Sequence, residues 1–346
     1  ELMSNNKPRI LFLAHRVPYP PNRGDRIRSY HLLEFLSQRA EVHLAFLADD
    51  AVPDETSEVL GGLCERVTHA QLHPRGRWFK GIRSLAIGNS ATEGLFDSSL
   101  LRSRLENWAA ETKFDAVFVF CSSMVQYLDA KGLADVPTVV DLVDVDSQKW
   151  LDYASKTWEP KRWLLSLEGR RLRRLESQLP NQVDAITVVT PQEADVFESF
   201  CPDFRPQVIR NGVDLEYFSP ETSCQTEISQ PPTTDNSSPT AVFIGALDYD
   251  ANVDGAAWFC SQVWPKVLDH FPNARFRIVG SRPNAKSLGL GSQRGVEVVG
   301  EVPDVRPYLH EATAVVVPLQ VARGVQNKVL EALAAARPVV VSPQGL

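Results

Sequence analysis

The stretch GVQNKVLEAL, residues 324–333, lies between two apolar runs, ATAVVVPL at 312–319 and RPVVVS at 337–342. Short apolar runs rich in valine predict buried strands, and the residues between them have the pattern of a helix start. A strand, a helix and a second strand in this order form a βαβ unit, in which the two strands are parallel. The stretch therefore predicts an α/β fold built on a parallel sheet.

The same alternation of apolar runs and helical patterns continues along the chain. Five strands are predicted in the first half, at 9–14, 41–47, 115–121, 138–143 and 184–190. Five more are predicted in the second half, at 241–247, 275–280, 296–302, 312–318 and 337–342. The residues 219–239 between the halves are polar and aperiodic, as is typical of a linker. We predict two Rossmann-like domains, 1–214 and 240–346, joined by a linker at 215–239.

The predicted sheets also indicate where a ligand binds. In open parallel sheets, ligands bind beyond the carboxyl ends of the strands, so we expect the two domains to face each other across a cleft. The chain stops at VVVSPQGL (339–346), just after a predicted strand and without a helix to cover it. Because both faces of a parallel sheet need cover, we expect the sequence to be incomplete at its C terminus.

The composition excludes several classes of protein. With 43% hydrophobic and 23% charged residues, the chain is typical of a globular protein. Its formal net charge of -7 argues against broad attraction to nucleic acid. The five cysteines are scattered and odd in number, which argues against a disulfide framework or a zinc site. Because no apolar run is long enough for a membrane span and no signal peptide is evident, we expect a cytoplasmic protein.

The helix start in the opening stretch has the residues of an anion site. Gly324 permits a tight turn close to a ligand, and the free amides at a helix start attract anions. Asn327 lies in the same turn, Lys328 adds a cation, and Glu331 follows on the same helical face. These residues fit the diphosphate and the ribose of a nucleotide. A surface Lys–Glu pair on an amphipathic helix explains them equally well.

Two loops in the first half, HRVPYPPNRGDRIRSYHLL (15–33) and VVDLVDVDSQKW (139–150), follow predicted strands. The first is crowded with arginines, and its Gly24 precedes a helix whose second residue is predicted to be Arg26. The second places Asp144 at the carboxyl end of a strand, where the reacting groups of such sheets lie. A plain βα loop, with an acidic residue favourable in the first helical turn, remains the alternative for the first segment.

The second loop also contains two further polar residues, Asp146 and Ser147, which we predict to cap the following helix. Asp144-Val145-Asp146 has the form D-x-D, a pattern that binds manganese in some enzymes. We interpret it here as a chance match, because the pattern is short and common.

Several segments together resemble the signature of glycosyltransferase family 4, the group 1 transferases. These segments are NKVLEALAAARPVVVS (327–342), RNGVD (210–214), FIGAL (243–247) and FRIVG (276–280). More narrowly, the two N-terminal loops resemble the sugar transferases associated with exosortase (PEP-CTERM) systems. The chain departs from the family pattern where Arg323 replaces the first glutamate of E-x7-E. Ala246 and Ala251 likewise replace an arginine and a lysine of the phosphate motif.

The resemblance implies a GT-B architecture and retaining transfer of a sugar from a nucleotide-diphosphate sugar to a hydroxyl acceptor, without a metal or other cofactor. It implies that Lys328 and the amides near Asn327 bind the diphosphate and that Glu331 binds the ribose. Gly324 forms the preceding turn, Gly300 to Val302 border the base, and Arg282 is a candidate substitute for the missing cations. Asp144, Gly24 and Arg26 are expected near the acceptor.

Two other classes of function remain open: a GT-B-like isomerase of UDP-sugars, and a non-catalytic scaffold of polysaccharide assembly. The expected partners of a transferase are a nucleotide-sugar and a glycan or lipid-linked acceptor, in exopolysaccharide or other glycan synthesis. The segment KRWLLSLEGRRLRRLESQL (161–179) predicts a basic amphipathic helix. We favour a solvated basic face for it, with a transient contact at the inner membrane face as the alternative.

Overall fold

The computed structural model describes residues 7–22, 24–220, 238–320 and 325–343. The chain divides into two compact units, Glu1–Arg210 and Asn211–Leu346. Within the described residues, each unit contains one sheet in which all strands are parallel. The predicted α/β class with two parallel-sheet domains is therefore confirmed.

The sheet of the first unit has the strand order β3-β2-β1-β4-β5-β6-β7. Its strands are β1 (Arg9–Ala14), β2 (Glu41–Ala48), β3 (Arg66–Gln71), β4 (Ala116–Phe120), β5 (Thr138–Val143), β6 (Ala185–Val188) and β7 (Gln207–Val208). Its helices are α1 (Gly24–Ser37), α2 (Asp54–Leu63), α3 (Pro74–Ile87), α4 (Ala91–Leu95), α5 (Ser99–Glu111), α6 (Asp146–Ser155), α7 (Lys161–Gln178) and α8 (Pro191–Phe200).

Strand β1 shows why this sheet is covered on both faces. Leu11 and Leu13 belong to one apolar cluster, and Phe12 and Ala14 belong to another. Successive side chains of a strand point to opposite faces, so the two clusters lie on the two faces of the sheet. All four side chains are fully buried, as expected for a strand at the centre of a parallel sheet.

The sheet of the second unit has the strand order β10-β9-β8-β11-β12. Its strands are β8 (Thr240–Ile244), β9 (Arg275–Val279), β10 (Val296–Gly300), β11 (Ala314–Val317) and β12 (Val339–Val341). Its helices are α9 (Leu215–Phe218), α10 (Asp250–Gln262), α11 (Trp264–His270), α12 (Ala285–Gly289), α13 (Arg306–Glu311) and α14 (Asn327–Ala334). Phe243 belongs to one apolar cluster and Val242 and Ile244 to another, so this sheet is also covered on both faces.

All ten predicted strands are present, and the structure adds β3 and β7. Strand β3 (RVTHAQ) is polar and lies at the sheet edge, and β7 has two residues, so neither contains the apolar run that predicts a strand. The helical pattern of residues 256–271 is divided between α10 and α11. The division occurs because Pro265, which cannot donate an amide hydrogen bond, lies in the first turn of α11. None of the helices in the described residues is long and apolar enough to cross a membrane.

The strand order reverses once in each sheet, between β1 and β4 in the first unit and between β8 and β11 in the second. Ligands of doubly wound sheets bind at the carboxyl ends of the strands beside such a reversal. The residues that follow these four strands are therefore the first place to look for a site.

Candidate functional site

Two glycines follow the central strands of the second unit and bring their loops into direct contact. Gly245 follows β8, and its amide donates to the carbonyl oxygen of Val279 at 3.0 Å. Gly280 follows β9, and a Cβ atom at this position would lie 1.8 Å from the carbonyl oxygen of Gly245. No side chain fits into that space. The two glycines thus let the backbone ends of β8 and β9 pack closely.

Gly245 also leaves room for a lysine and an asparagine from different helices. The Lys328 Nζ atom, from the first turn of α14, donates to Asn252 Oδ1 of α10 at 2.7 Å. Asn252 is itself fixed, because its Nδ2 atom donates to the Ala246 carbonyl oxygen at 2.9 Å. A Cβ atom on Gly245 would lie 3.0 Å from Nζ and 2.8 Å from Nδ2. A larger residue after β8 would therefore displace the pair.

The Lys328 ammonium is held without an ion pair. Its partner is the neutral Asn252 amide, and Nζ lies 4.8 Å from the centroid of the buried Phe243 ring. Within the described part of the chain, no carboxylate forms an ion pair with it. Burial lowers the pKa of Lys328 to about 8, and the negative charge of Glu331 opposes this change. The ammonium therefore retains a charge that an anion can neutralise.

Glu331 lies one helical turn after Lys328 on α14. Burial raises the pKa of Glu331, and the nearby Lys328 charge opposes that rise. The charge of Glu331 is also among the influences that raise the pKa of Tyr217 on α9, after burial and Asp304. Glu331 is thus a partly buried carboxylate beside the start of α14.

The remaining residues of the predicted donor site differ in how they are held. Asn327 is the first residue of α14, and its Oδ1 atom accepts a hydrogen bond from Asn211 Nδ2 at 3.1 Å. Val302 packs against the apolar core, so its backbone rather than its side chain can border a ligand. Gly324, like Arg323, lies outside the described residues.

Arg282 follows β9 and has a backbone φ of 52°, in the left-handed region. Its Nε atom lies 3.1 Å from Asp248 Oδ2, and its side chain is half exposed. The Asp248 carboxylate partly neutralises the guanidinium. Arg282 is consequently a weaker substitute for the missing phosphate-binding cations than Lys328.

In the first unit, His15 lies directly after β1. Its ring stacks on Phe120 of β4 with centroids 5.8 Å apart. Burial, with the adjacent Arg16 charge, lowers the pKa of His15 to about 4, so the imidazole is neutral at pH 7. Arg16 bridges two carboxylates, with Nη1 3.2 Å from Asp25 Oδ2 and Nε 3.3 Å from Asp49 Oδ2.

Asp144 lies in the turn between β5 and α6. Its amide donates to the Leu142 carbonyl oxygen at 2.9 Å, and the intervening Val143 has a φ of 67°. That backbone region is unfavourable for a β-branched residue, so the turn is strained. The Asp144 carboxylate is close enough to Cys121 to raise the pKa of its thiol, although burial has the larger effect.

The start of α1 approaches the same place. Helix α1 begins at Gly24, which is exposed, and Arg26 is its third residue rather than the predicted second. Asp25, between them, also contributes to the raised pKa of the Cys121 thiol. The first turn of α1 and the turn after β5 therefore both lie near Cys121, directly after β4.

The predicted caps of α6 are wrong. Val145 is the N-cap residue and provides no side-chain bond, because Asp146 and Ser147 already lie within the helix. Asp146 Oδ2 instead accepts a hydrogen bond from Ser122 Oγ at 2.7 Å, and burial raises the pKa of Asp146. The Ser147 amide donates to the buried carboxylate of Glu176 at 3.0 Å.

Arg28, one of the arginines that crowd the first loop, is structural. Its Nε atom donates to Asp141 Oδ2 at 2.7 Å, and its Nη2 atom donates to Asp141 Oδ1 at 3.0 Å. Thr187 Oγ1 donates to the same carboxylate at 2.8 Å. Both charged side chains are almost fully buried. Because this ion pair joins α1 to β5, it fixes the helix whose first turn carries Gly24 and Arg26.

Three residues of the candidate site were not predicted from the sequence: His15, Ser122 and Asn252. His15 and Ser122 each lie close after a central strand, and this position could have indicated them. Asn252 occupies the place after Ala251 in the phosphate motif, where the family pattern has glycine. Its bond to Lys328 spans 76 residues, and no local pattern predicts it.

The two parallel sheets, with polar residues gathered at each reversal of strand order, define a two-domain fold of the GT-B glycosyltransferase class. A model of Glycosyltransferase Family 4 matches residues 27–217, more than half of the chain, and a model of Glycosyl transferases group 1 matches residues 238–346. The chain belongs to glycosyltransferase family 4. No curated protein sequence matches it.

Several solved structures share this fold. Anabaena Alr3699/HepE in complex with UDP-glucose has a TM-score of 0.60 at 14% identity, over 97% of this chain and 81% of that chain. WaaG, a glycosyltransferase involved in lipopolysaccharide biosynthesis, has a TM-score of 0.60 at 15% identity, over 96% of this chain and 80% of that chain. TarM has a TM-score of 0.60 at 10% identity, over 96% and 84%. At these identities the likeness establishes the fold.

Proposed function

We propose that the protein transfers a sugar, with retention of anomeric configuration, from a UDP-sugar to a hydroxyl acceptor. The observation that carries this proposal is the Lys328 ammonium, which Asn252 fixes at the reversal point of the second sheet and which forms no ion pair within the described residues. A partly buried cation at the start of a helix favours an anionic ligand such as a diphosphate. UDP as the nucleotide is supported by HepE, whose structures contain UDP and UDP-glucose.

On this proposal Lys328 and the first amides of α14 bind the diphosphate, with Asn327 in the same turn. Glu331 accepts hydrogen bonds from the ribose hydroxyls, and the backbone from Gly300 to Val302 borders the base. Arg282 is available only if a ligand displaces Asp248. Gly324 belongs to this assignment from the sequence alone.

In the first unit we assign Asp144, Gly24 and Arg26 to the neighbourhood of the acceptor. His15 joins them, because its neutral imidazole can accept or donate a hydrogen bond at pH 7. In a front-face displacement the leaving diphosphate accepts the acceptor proton, so the protein acts mainly by positioning and neutralising charge. We propose that no metal or other cofactor takes part, since Lys328 and the helix amides supply the positive charge.

We propose a glycan or lipid-linked acceptor at the cytoplasmic face of a membrane and a role in exopolysaccharide synthesis, including an exosortase-associated system. The likeness to WaaG, which is involved in lipopolysaccharide biosynthesis, supports an acceptor of this kind. Hexosyl transfer is the expected subtype.

A direct experiment incubates the purified protein with individual UDP-sugars, with and without a lipid-linked glycan acceptor, and measures released UDP. Release that depends on the acceptor supports a transferase. Interconversion of the free UDP-sugars would instead indicate the isomerase, and binding without turnover would indicate the scaffold. The variant Lys328→Ala should lose activity, whereas Lys266→Ala, which removes an exposed lysine of the same unit, should keep it.

A further inference from the structure

Helix α3 exposes large apolar side chains to solvent. Trp78 is 66% exposed, Phe79 is 71%, Ile82 is 65% and Ile87 is 68%. At 100° per residue Trp78, Phe79 and Ile82 fall within about 100° of one another with Ala86 among them, and Arg83 and Ile87 follow at one edge of this face. We name these six residues the α3 face. Neighbouring exposed apolar side chains of this kind mark an interaction site.

The opposite face of α3 is small and polar, and it is the face that packs on the protein. Gly81 lies against Leu95 of α4, where a Cβ atom would be 3.2 Å from Leu95 Cγ. The buried Ser84 hydroxyl donates to the Ser90 carbonyl oxygen at 2.6 Å. Lys80 forms an ion pair with Asp97 at 3.0 Å.

The helix is therefore inverted relative to an ordinary amphipathic surface helix, which buries its apolar side. Turning it over would bury the tryptophan, the phenylalanine and the isoleucines, but the glycine and serine contacts prevent this rotation. The packing of α3 thus holds its apolar side chains outward. This arrangement is favourable only where something other than water covers them.

The charge of α3 indicates which kind of partner binds its exposed apolar side chains. The segment Pro74–Ile87 contains arginines and a lysine but no acidic residue, although the chain as a whole has a net charge of -7. Arg83 is exposed at the edge of the α3 face, between Phe79 and Ile87. Aromatic and aliphatic side chains with interspersed cations are typical of helices that lie in the interface of an anionic bilayer.

We infer that the α3 face docks on the surface of a membrane that contains anionic lipids, with Trp78, Phe79 and Ile82 inserted at the headgroup level. Arg83 then contacts lipid phosphates. A second copy of the chain is a poorer partner, because a symmetric pairing brings the same cationic face against itself. The inference concerns the first unit alone and does not depend on the donor site.

Helix α7 is the competing surface. Its first residues, Lys161, Arg162, Trp163 and Leu164, are all exposed. The helix is attached to the end of α3, because Arg171 Nη1 donates to the Leu85 and Asn89 carbonyl oxygens. In contrast to α3, α7 has an ordinary apolar contact with the core through Leu172. The exposed first turn of α7 therefore does not by itself require a binding partner.

The test measures sedimentation of the full chain with vesicles of phosphatidylcholine, alone or mixed with phosphatidylglycerol. The variant Trp78→Ser/Phe79→Ser should weaken binding to the anionic vesicles at least about tenfold, since each aromatic ring contributes on the order of tenfold when it leaves water. Trp163→Ser/Leu164→Ser on α7 and Phe35→Ser on α1 are the matched controls and should bind like the parent. Arg83→Glu should lose the preference for anionic lipid.

Melting temperatures and UDP titrations of the same variants should match the parent, which separates lost docking from lost folding or lost donor binding. The inference is overturned if the parent does not bind anionic vesicles, or if the α7 variant alone loses binding. It is also overturned if the parent sediments as a dimer that Trp78→Ser/Phe79→Ser dissociates. A failure of UDP binding in every form would count against the proposed function and leave the docking result intact.

Discussion

Replacing Lys328 with alanine should weaken UDP about tenfold to a hundredfold and leave uridine almost unaffected. The ammonium has no ion pair among the described residues, so a diphosphate bound there gains a charge-assisted hydrogen bond that uridine cannot make. Such a bond is worth roughly 1.5–3 kcal/mol. Burial lowers the pKa of Lys328 to about 8, which means that the charged form is destabilised by roughly 3 kcal/mol. A bound anion can recover a free energy of about this size.

Isothermal titration calorimetry of UDP and uridine against the parent, Lys328→Ala and Lys266→Ala measures this difference. Lys266 is exposed in the same unit, so its replacement controls for a general loss of positive charge. If Lys328→Ala weakens UDP and uridine by the same factor, the lysine does not bind the diphosphate and the assignment is refuted.

The same titration has an expected pH dependence. Only the protonated amine attracts the diphosphate, so UDP affinity should fall as pH rises above about 8, and Lys328→Ala should show no such slope. The pKa of Lys328 is lowered in the folded protein, so protonation costs stability below about pH 8. This cost disappears as pH rises towards the ordinary value of 10.5. A flat affinity profile between pH 7 and pH 9.5 would show that another group supplies the charge.

Three further predictions concern other groups. Asn252→Asp should reduce UDP affinity at least about tenfold by neutralising Lys328, and should raise the pKa of Lys328; unchanged UDP titrations would contradict this role. Sugar transfer should persist in EDTA, and activity that returns only with added manganese would refute the metal-free mechanism. Burial raises the pKa of Glu176 to about 8, so between pH 4.5 and pH 8 its carboxyl is protonated in the folded protein and ionised in the unfolded chain. The parent protein should therefore lose stability as pH rises through this range. Glutamine does not ionise, so the free energy of unfolding of Glu176→Gln minus that of the parent should increase by about 1 kcal/mol or more from pH 5 to pH 8, as measured by urea unfolding. A difference that stays constant across this range would contradict the raised pKa.

The strands were predictable because their signal is local. In β1 and β5 each buried residue lies within a short apolar run, so periodicity and composition alone locate the strand. The edge strand β3 was missed because one side of an edge strand meets solvent, and its sequence carries polar residues instead. Helix α3 shows a related limit, since an apolar periodicity identifies a face but does not say whether that face points inward.

The candidate site was only partly predictable, because its contacts join distant parts of the chain. The sequence pattern of a helix start indicated Lys328 and Glu331 as candidate site residues. It did not show which groups contact them in the folded protein. The bond from Arg28 to Asp141 spans 113 residues, and it makes one of the arginines that crowd the first loop part of a buried structural ion pair. Glu168 and Glu176 lie in the segment for which a solvated basic face was predicted. They are instead buried, because they accept hydrogen bonds from the first turns of α4 and α6.

The identity of residue 252 links the departure from the family pattern to the chemistry of the site. Ala246 and Ala251 remove two cations from the phosphate motif, so Lys328 must supply more of the positive charge. An aspartate at 252 would hold the lysine equally well but would cancel that charge. Asparagine holds the ammonium through a neutral oxygen, so its charge remains available to a ligand. A donor site that depends on one amine with a pKa of about 8 should be more sensitive to pH than one built on arginine.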